Sequence, residues 1–248
     1  MSEKWLTTKV VENRHWTDTL FSVRVEGAEL NFQAGQFVRI ALDIDGARVA
    51  RAFSLVNAPG EPLLEFYGIV VPQGPLSPRL ARLEAADRLF VASNPAGFLV
   101  LSEIPDAETL WLMATGTGIA PFVSMLRAET PWQRFEKVVL VHAVRQAPEL
   151  VYRDEIERAR VKHGPRFRYV PIVSREDAPH ALRGRIPALL GDASLEGAAG
   201  LKLAATDSQV MLCGNPDMLK DTTAALVKRG LRKNRRRTPG HITVESFW

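Results

Sequence analysis

The sequence predicts a two-domain fold, in which an antiparallel β-barrel is followed by an α/β domain built on a doubly wound parallel sheet. Short alternating apolar segments, separated by turn residues, fill the first hundred residues, as they do in small closed barrels. From about residue 103, buried apolar runs alternate with helical segments, which is typical of parallel sheets. This change of hydrophobic pattern places the domain boundary near residue 100 and predicts domains over 1–100 and 101–248.

The barrel strands are predicted from a period-two pattern. Phe21–Val25 and Val38–Ile44 each carry apolar side chains at alternate positions, as one half-buried strand face requires. Asp45-Gly46 is a strong hairpin signal, and a return strand follows it. Further strands fit residues 63–71 and 88–92.

A short helix is predicted over Ser77–Leu83. Serine is a good N-cap, and Pro78 suits the first helical position. Because Gly74 precedes this segment, the helix N-terminus is a candidate anion site, although a plain capped helix explains the same pattern.

Four apolar runs predict the strands of the second domain. They are Leu110–Ala114, Val138–Val144, Phe167–Val173 and Gln209–Cys213. Helical or charged segments follow them, from about residue 120 and over 149–162, 183–190 and 217–228. Residues 242–244 predict a last strand.

The loops after these strands are candidate ligand sites, because parallel sheets bind ligands beyond the carboxyl ends of their strands. Gly116 and Gly118 would let the backbone approach a pyrophosphate, although a short glycine loop is often only a tight turn. Ser174-Arg175, with Arg183 and Arg185 nearby, fits the 2′-phosphate of NADP, whereas NAD sites place an acidic residue there. Surface arginines are common, so this interpretation depends on the loop lying at the ligand edge.

The basic character of the chain is local. The net charge is +4, but residues 228–237 hold seven basic residues and no acidic one, and the rest of the chain has 25 basic and 28 acidic residues. A solvated helix end and a docking patch for an acidic partner both explain this run. Aromatic residues that could stack on bases are absent from it, which weakens a nucleic-acid interpretation.

Several classes of site are excluded by residue type. Cys213 is the only cysteine, so intrachain disulfides and cysteine-ligated clusters are excluded, and an inert core position is its usual role. The five histidines show no metal-ligand spacing, and no metal is expected. No apolar run is long enough to span a membrane, and the first residues lack signal-peptide features, so a cytoplasmic location is expected. The chemistry is therefore expected to come from a cofactor.

Four motifs, in order along the chain, resemble the signatures of ferredoxin–NADP reductases. They are Arg51-Ala-Phe-Ser54, Gly74-Pro-Leu-Ser77, Gly116-Thr-Gly-Ile-Ala-Pro121 and Cys213-Gly-Asn-Pro216. The ending Val244-Glu-Ser-Phe-Trp248 is similar to that of the bacterial subclass whose chain stops at an aromatic pair. The resemblance covers essentially the whole chain and implies a barrel that binds FAD and an α/β domain that binds NADP(H).

The resemblance also implies residue roles. Residues implied to hold FAD are Arg51, Ala52, Phe53, Ser54, Tyr67, Leu76, Ser77, Thr117, Phe247 and Trp248. Residues implied to hold NADP(H) are Gly116, Gly118, Arg145, Ser174, Arg175, Arg185, Gly214, Asn215 and Pro216. Those implied to act in catalysis are Ser54 near flavin N5, Cys213 and Glu245 in the nicotinamide pocket, and Phe247 as a gate over the flavin. Two departures from the family pattern are phenylalanine at 53 and 247, where many members have tyrosine, and Pro75, which lacks an amide proton.

The implied activity is electron transfer between NADPH, which gives hydride to flavin N5, and ferredoxin or flavodoxin, which takes single electrons. The partner is expected to dock at Arg232, Lys233, Arg235, Arg236 and Arg237 of a monomeric enzyme. A free-flavin reductase or an oxygenase-component reductase is the nearest alternative. A basic nucleic-acid-binding module is the alternative from another class, although no nucleic-acid or membrane partner is expected.

Overall fold

The first half of the chain forms an antiparallel barrel in a computed structural model that describes residues 3–246. Its strands are β1 (Trp5–His15), β2 (Leu20–Glu26), β3 (Phe37–Ile44), β4 (Ala47–Ser54), β5 (Leu64–Ile69) and β6 (Arg88–Ala92). They lie in the order β4-β3-β6-β1-β2-β5. The two outer strands meet where Leu55 bridges Phe66 and the Val56 N–H donates to the Glu65 carbonyl at 2.9 Å. These bonds close the sheet on itself and confirm the predicted barrel.

The β3–β4 hairpin turns at Asp45 and Gly46, as predicted, and both residues have positive φ angles, 50° and 80°. Strand β1 was not predicted. Most of its side chains are exposed or half-buried and polar, and only Thr8 and Val10 are buried, so the strand carries little apolar alternation. Its pairing with β2 and β6 places it in the sheet.

The predicted helix at Ser77 is shorter than expected. Helix α1 spans Ser77–Leu80 and continues only as turns, so the predicted end at Leu83 is wrong. Ser77 does not cap it either, because Leu76 occupies the N-cap position and the Ser77 Oγ accepts the Val71 N–H at 2.8 Å. The serine closes the loop before the helix, and four residues are too few to build a substantial helix dipole.

The second half forms the predicted parallel sheet. Its strands are β7 (Thr109–Thr115), β8 (Lys137–Val144), β9 (Phe167–Val173), β10 (Leu182–Arg183), β11 (Ser208–Gly214) and β12 (Ile242–Ser246), in the order β10-β9-β8-β7-β11-β12. The helices are α2 (Ala120–Arg127), α3 (Thr130–Arg134), α4 (Arg153–His163), α5 (Ile186–Gly191), α6 (Ser194–Ala199) and α7 (Pro216–Lys228). The segment predicted over 183–190 begins as β10 and becomes helical only at Ile186. Among residues 3–246, no helix is long and apolar enough to cross a bilayer.

Strand order reverses between β7 and β11, so the crevice between these strands is the expected ligand position. One face of the parallel sheet packs on α5, α6 and α7, and the other packs on α2, α4 and the barrel. The core cluster on this second face includes Leu20 and Tyr67 of the barrel together with Phe122 and Tyr152. Residues 93–108 connect β6 to β7 and contain the predicted boundary near residue 100, which stays a prediction.

Candidate active site

The two glycine loops at the strand reversal interlock. The Asn215 N–H, just beyond β11, donates to the Thr115 Oγ1 at the end of β7 over 3.0 Å. A Cβ on Gly118 would lie 2.6 Å from the Cys213 carbonyl carbon, and one on Gly214 would overlap the Thr115 hydroxyl. Glycine is therefore required at both positions by the packing of one loop on the other, and not only by an approaching ligand.

Asn215 has a structural role that the sequence pattern did not predict. Its Oδ1 accepts the backbone N–H groups of Asp217 and Met218 at 2.9 and 3.3 Å, so it is the N-cap of α7. Pro216 occupies the first turn of that helix. A ligand at this loop would therefore meet the start of a capped helix of 13 residues.

Cys213 is fully buried in the core cluster shared with the barrel. Burial raises the pKa of its thiol well above the ordinary value, and the nearby Glu245 carboxylate adds to this. The thiol is thus protonated at neutral pH, and a thiolate nucleophile is not available. Across the β11–β12 pair, Cys213 stands opposite Glu245.

Glu245 places a carboxyl group beside the barrel. Its Oε1 is buried and has no hydrogen-bond partner within residues 3–246. A Cβ on Gly97 would lie 2.9 Å from its Oε2, so the glycine gives this oxygen the space it occupies. Burial raises the pKa of Glu245 to about 7, which makes it a carboxyl group that can hold or release a proton near neutral pH.

We expect Glu245→Gln to flatten the pH dependence of stability. The folded pKa of about 7 exceeds the ordinary value of 4.5, so the stabilising contribution of the bound proton is complete below pH 4.5 and is lost as pH rises through 7. This loss amounts to about 3 kcal/mol of unfolding free energy. Urea unfolding from pH 5 to pH 8 measures it, and parallel curves for the two proteins would contradict the assignment.

On the barrel side, two polar atoms are buried without partners. The Ser54 Oγ and the Tyr67 hydroxyl make no hydrogen bond within the described residues. Burial raises the pKa of Tyr67 well above its ordinary value, and its ring packs edge-on against Tyr152 at 5.3 Å. Buried polar atoms are usually paired in folded proteins, so these two hydroxyl groups are candidates to hydrogen-bond a ligand.

Arg51 and Ala52 are exposed at the end of β4. The Arg51 Nη1 donates to the Ala50 carbonyl at 2.7 Å, and the guanidinium has further N–H donors that could bind a ligand. Phe53 is half-buried, and its ring edge lies over Gly68, whose missing side chain makes room for it. Leu76 is buried in the barrel core, so only its backbone can face a ligand.

The residues predicted to bind NADP phosphates gather at the carboxyl ends of β8 and β9. The Arg175 N–H donates to the Arg145 carbonyl at 3.0 Å, and the Ser174 Oγ donates to the Val144 carbonyl at 3.1 Å. Arg145, Arg175 and Arg185 are exposed and form no ion pair within residues 3–246. Arg183 differs, because it pairs with Asp177 at 2.8 Å.

Thr117 is half-buried and lies in the 3-10 turn Gly116–Ile119, which follows strand β7 at the strand reversal. Phe247 and Trp248 lie outside the described residues.

Two residues of the site were not predicted from the sequence, Thr115 and Gly97. Their roles depend on partners about 100 and 150 residues away in the chain. Nothing in the local pattern of either residue signals those partners.

The fold and this junction define a class of two-domain reductases, in which a barrel faces a nucleotide-binding sheet. A family model described as the oxidoreductase NAD-binding domain matches residues 112–224. The chain is 48% identical to a flavodoxin/ferredoxin–NADP reductase of Shigella flexneri over 245 residues, which cover 98% of this chain and 99% of that protein. It is 39% identical to a ferredoxin–NADP reductase of Pseudomonas aeruginosa, with 96% of each chain covered.

Among solved structures, a ferredoxin NADP+ reductase from Neisseria gonorrhoeae with bound FAD and NADP superimposes with a TM-score of 0.94. It is 35% identical to this chain, and the match covers 100% of both chains. This chain belongs to the flavodoxin/ferredoxin–NADP reductase family, and both the predicted family and the predicted fold are confirmed.

Proposed function

We propose that the protein is an FAD-dependent oxidoreductase that transfers electrons between NADPH and ferredoxin or flavodoxin. The observation that supports this most directly is the pair of buried, unpartnered polar atoms at the junction, the Ser54 Oγ and the Tyr67 hydroxyl. Tyr67 packs in one core cluster with Ile119 and Cys213 at the strand reversal, where a parallel sheet binds its nucleotide. The full-length relatives named as flavodoxin/ferredoxin–NADP reductases support the same activity.

The barrel residues fit a flavin. When bound, FAD supplies hydride acceptance followed by release of single electrons. Arg51 would hold a pyrophosphate with its exposed donor fork, and Ser54 would donate from its buried hydroxyl. Phe53 would present a ring face beside Gly68. The backbone of Leu76-Ser77 and the Thr117 side chain would complete the cofactor cradle, with Ala52, Phe247 and Trp248 in the roles expected for them.

The parallel sheet would hold NADP(H). Arg145, Arg175 and Arg185 would bind its phosphates with exposed guanidinium groups, and Ser174 would add a hydroxyl. Gly116, Gly118 and the loop Gly214–Pro216 would line the approach to the junction. Cys213 and Glu245 would border the nicotinamide, with Glu245 able to exchange a proton near neutral pH.

For the electron carrier, we propose docking on residues 232–237, called here the hairpin because an antiparallel bridge between Arg235 and Thr238 closes their turn. Arg236 already has partners within this chain, because it pairs with Glu103 at 3.0 Å and lies over the Phe98 ring at 4.0 Å. Arg232, Lys233, Arg235 and Arg237 are exposed and form no ion pair within residues 3–246. An acidic carrier would be steered to these four cations, while Arg236 holds the hairpin against the segment after the barrel.

Charge reversal of this hairpin should slow the carrier step alone. We expect Arg232→Glu with Arg235→Glu to lower the rate of flavodoxin or ferredoxin reduction at least tenfold at low salt, since electrostatic steering changes association rates by about 10- to 1000-fold. Turnover with ferricyanide should stay within twofold of the unmodified enzyme. Equal loss of both activities would contradict docking at the hairpin.

The proposed function is tested by the absorbance spectrum of the purified protein. We expect a yellow protein that contains FAD and that is bleached by NADPH without oxygen. A colourless protein that cannot be reconstituted with FAD would overturn the proposal. A cytoplasmic location and a monomeric state stay predictions.

A further inference from the structure

A cluster of ion pairs joins the barrel to the parallel-sheet half at Arg127, the last residue of α2. Its Nη1 lies 2.8 Å from the Glu65 Oε2 and 3.6 Å from the Glu61 Oε2, and its Nη2 lies 3.2 Å from the Glu155 Oε1. Glu61 precedes barrel strand β5 and Glu65 lies within it, whereas Glu155 belongs to α4. One guanidinium thus holds carboxylates of both halves.

Glu65 is the centre of this cluster. Its side chain is only 3% exposed, and it also contacts the Arg24 Nε at 3.3 Å and accepts the Tyr152 hydroxyl at 2.9 Å. Arg158 pairs with Glu155 at 3.0 Å. Glu12 pairs with Arg24 at 3.2 Å, so four carboxylates face three guanidinium groups in this cluster.

A second buried contact lies one turn earlier on α2. The Ser124 Oγ donates to the Asn57 carbonyl at 2.6 Å, and the Asn57 Oδ1 accepts the Glu65 N–H at 3.0 Å. Asn57 follows Ser54 by three residues, and Glu65 precedes Tyr67 by two. Helix α2 is thus tied to both segments that carry the unpartnered hydroxyls of the candidate site.

The N-terminal end of α2 follows directly after the loop Gly116–Ile119. A helix of eight residues is a short, stiff rod, so fixing its C-terminal end also fixes the loop at its start. Buried ion pairs add little net stability, but removing one partner is costly, so such clusters favour one arrangement of the surrounding elements. Arg127 is well placed to select that arrangement.

We propose that Arg127 is a positioning residue for hydride transfer. By binding Glu65 and Glu155 together, it sets how far the loop Gly116–Ile119 lies from Ser54 and Tyr67, and hence how a nicotinamide meets the flavin. This inference rests on the proposed function, because a distance between the two ligands matters only if both bind.

The test compares Arg127→Met and Arg127→Lys with the unmodified FAD-containing enzyme. Arg166→Met is the control, since within residues 3–246 the half-buried Arg166 donates hydrogen bonds only to the carbonyls of Trp132, Phe135 and Glu136, all in the same half. We expect the limiting rate of flavin reduction by NADPH to fall at least tenfold in Arg127→Met, because small misplacements of reacting groups cost about 100-fold. Affinity for 2′-phospho-AMP should stay within twofold.

Arg127→Lys keeps one cation but cannot reach three carboxylates, so it should restore folding yet recover only part of the rate. Amide hydrogen exchange gives a readout that does not depend on turnover. Exchange in β5 and α2 should rise at least tenfold in Arg127→Met and stay unchanged in Arg166→Met.

The possible failures are distinguishable. If NADPH does not reduce the unmodified enzyme, the proposed function is wrong. If it does, and both Arg127 variants match the unmodified enzyme in rate and in exchange, the positioning role is wrong. A loss of rate and exchange protection of equal size in Arg166→Met would also overturn it.

Discussion

Replacing Arg175 with glutamine should lower kcat/KM for NADPH about 10- to 150-fold and leave kcat/KM for NADH within twofold. The Arg175 backbone is fixed by its bond to the Arg145 carbonyl, while its guanidinium is exposed and unpaired within the described residues. A hydrogen bond to a charged group contributes about 1.5–3 kcal/mol, and 1.4 kcal/mol is tenfold in binding. Only NADPH has the 2′-phosphate that such a bond would hold. Steady-state kinetics with the two donors measures the difference.

Arg183→Gln is the matched control. Arg183 lies eight residues further along the chain, but its guanidinium already binds Asp177 at 2.8 Å. We expect this variant to keep its preference for NADPH within threefold. Equal losses of kcat/KM with NADPH and NADH in Arg175→Gln would show that Arg175 does not bind the 2′-phosphate.

Gly118→Ala should abolish productive nucleotide binding and lower the free energy of unfolding by about 2–3 kcal/mol. The new methyl group would overlap the Cys213 carbonyl, and the nearest backbone atoms on that side belong to β11, which cannot shift without breaking its pairing with β7. Overpacking of this kind costs about 1–3 kcal/mol. The loops after β7 and β11 would move apart at the strand reversal, which is where the nucleotide is proposed to bind.

The control for this prediction is Gly197→Ala, because a Cβ there would meet no atom within 4 Å and α6 already has helical geometry. This change should be neutral or slightly stabilising. Denaturant unfolding and NADP+ titration measure both variants. A Gly118→Ala protein that matches Gly197→Ala in stability and affinity would contradict the steric argument.

Much of the fold could be predicted because its signals are local. The Asp45-Gly46 turn, the four apolar runs of the parallel sheet and the glycine loop at Gly116 each depend on neighbouring residues, and the structure places them as expected. Strand β1 was missed because its polar side chains carry no period, and its place is set by pairing with β2 and β6. The end of α1 was wrong because Ser77 bonds to Val71 and not to its own helix.

The candidate site was predictable in its residue types and not in its contacts. Its glycines and arginines were identified from the sequence, but Gly118 is required by the Cys213 carbonyl, and Asn215 caps α7. Arg127 gave no sequence signal, since an arginine at a helix end is ordinary. Its three carboxylate partners are 28 to 66 residues away in the chain, and only the tertiary fold brings them together.

The central claim is that this junction passes electrons from NADPH through a bound flavin to a single-electron carrier. Stopped-flow absorbance without oxygen tests it most directly, with NADPH or NADH mixed first and flavodoxin or ferredoxin mixed second. We predict that NADPH bleaches the flavin far faster than NADH, and that each reduced enzyme then reduces two carrier molecules in succession. Faster bleaching by NADH, or a reduced enzyme that leaves both carriers oxidised, would contradict the account.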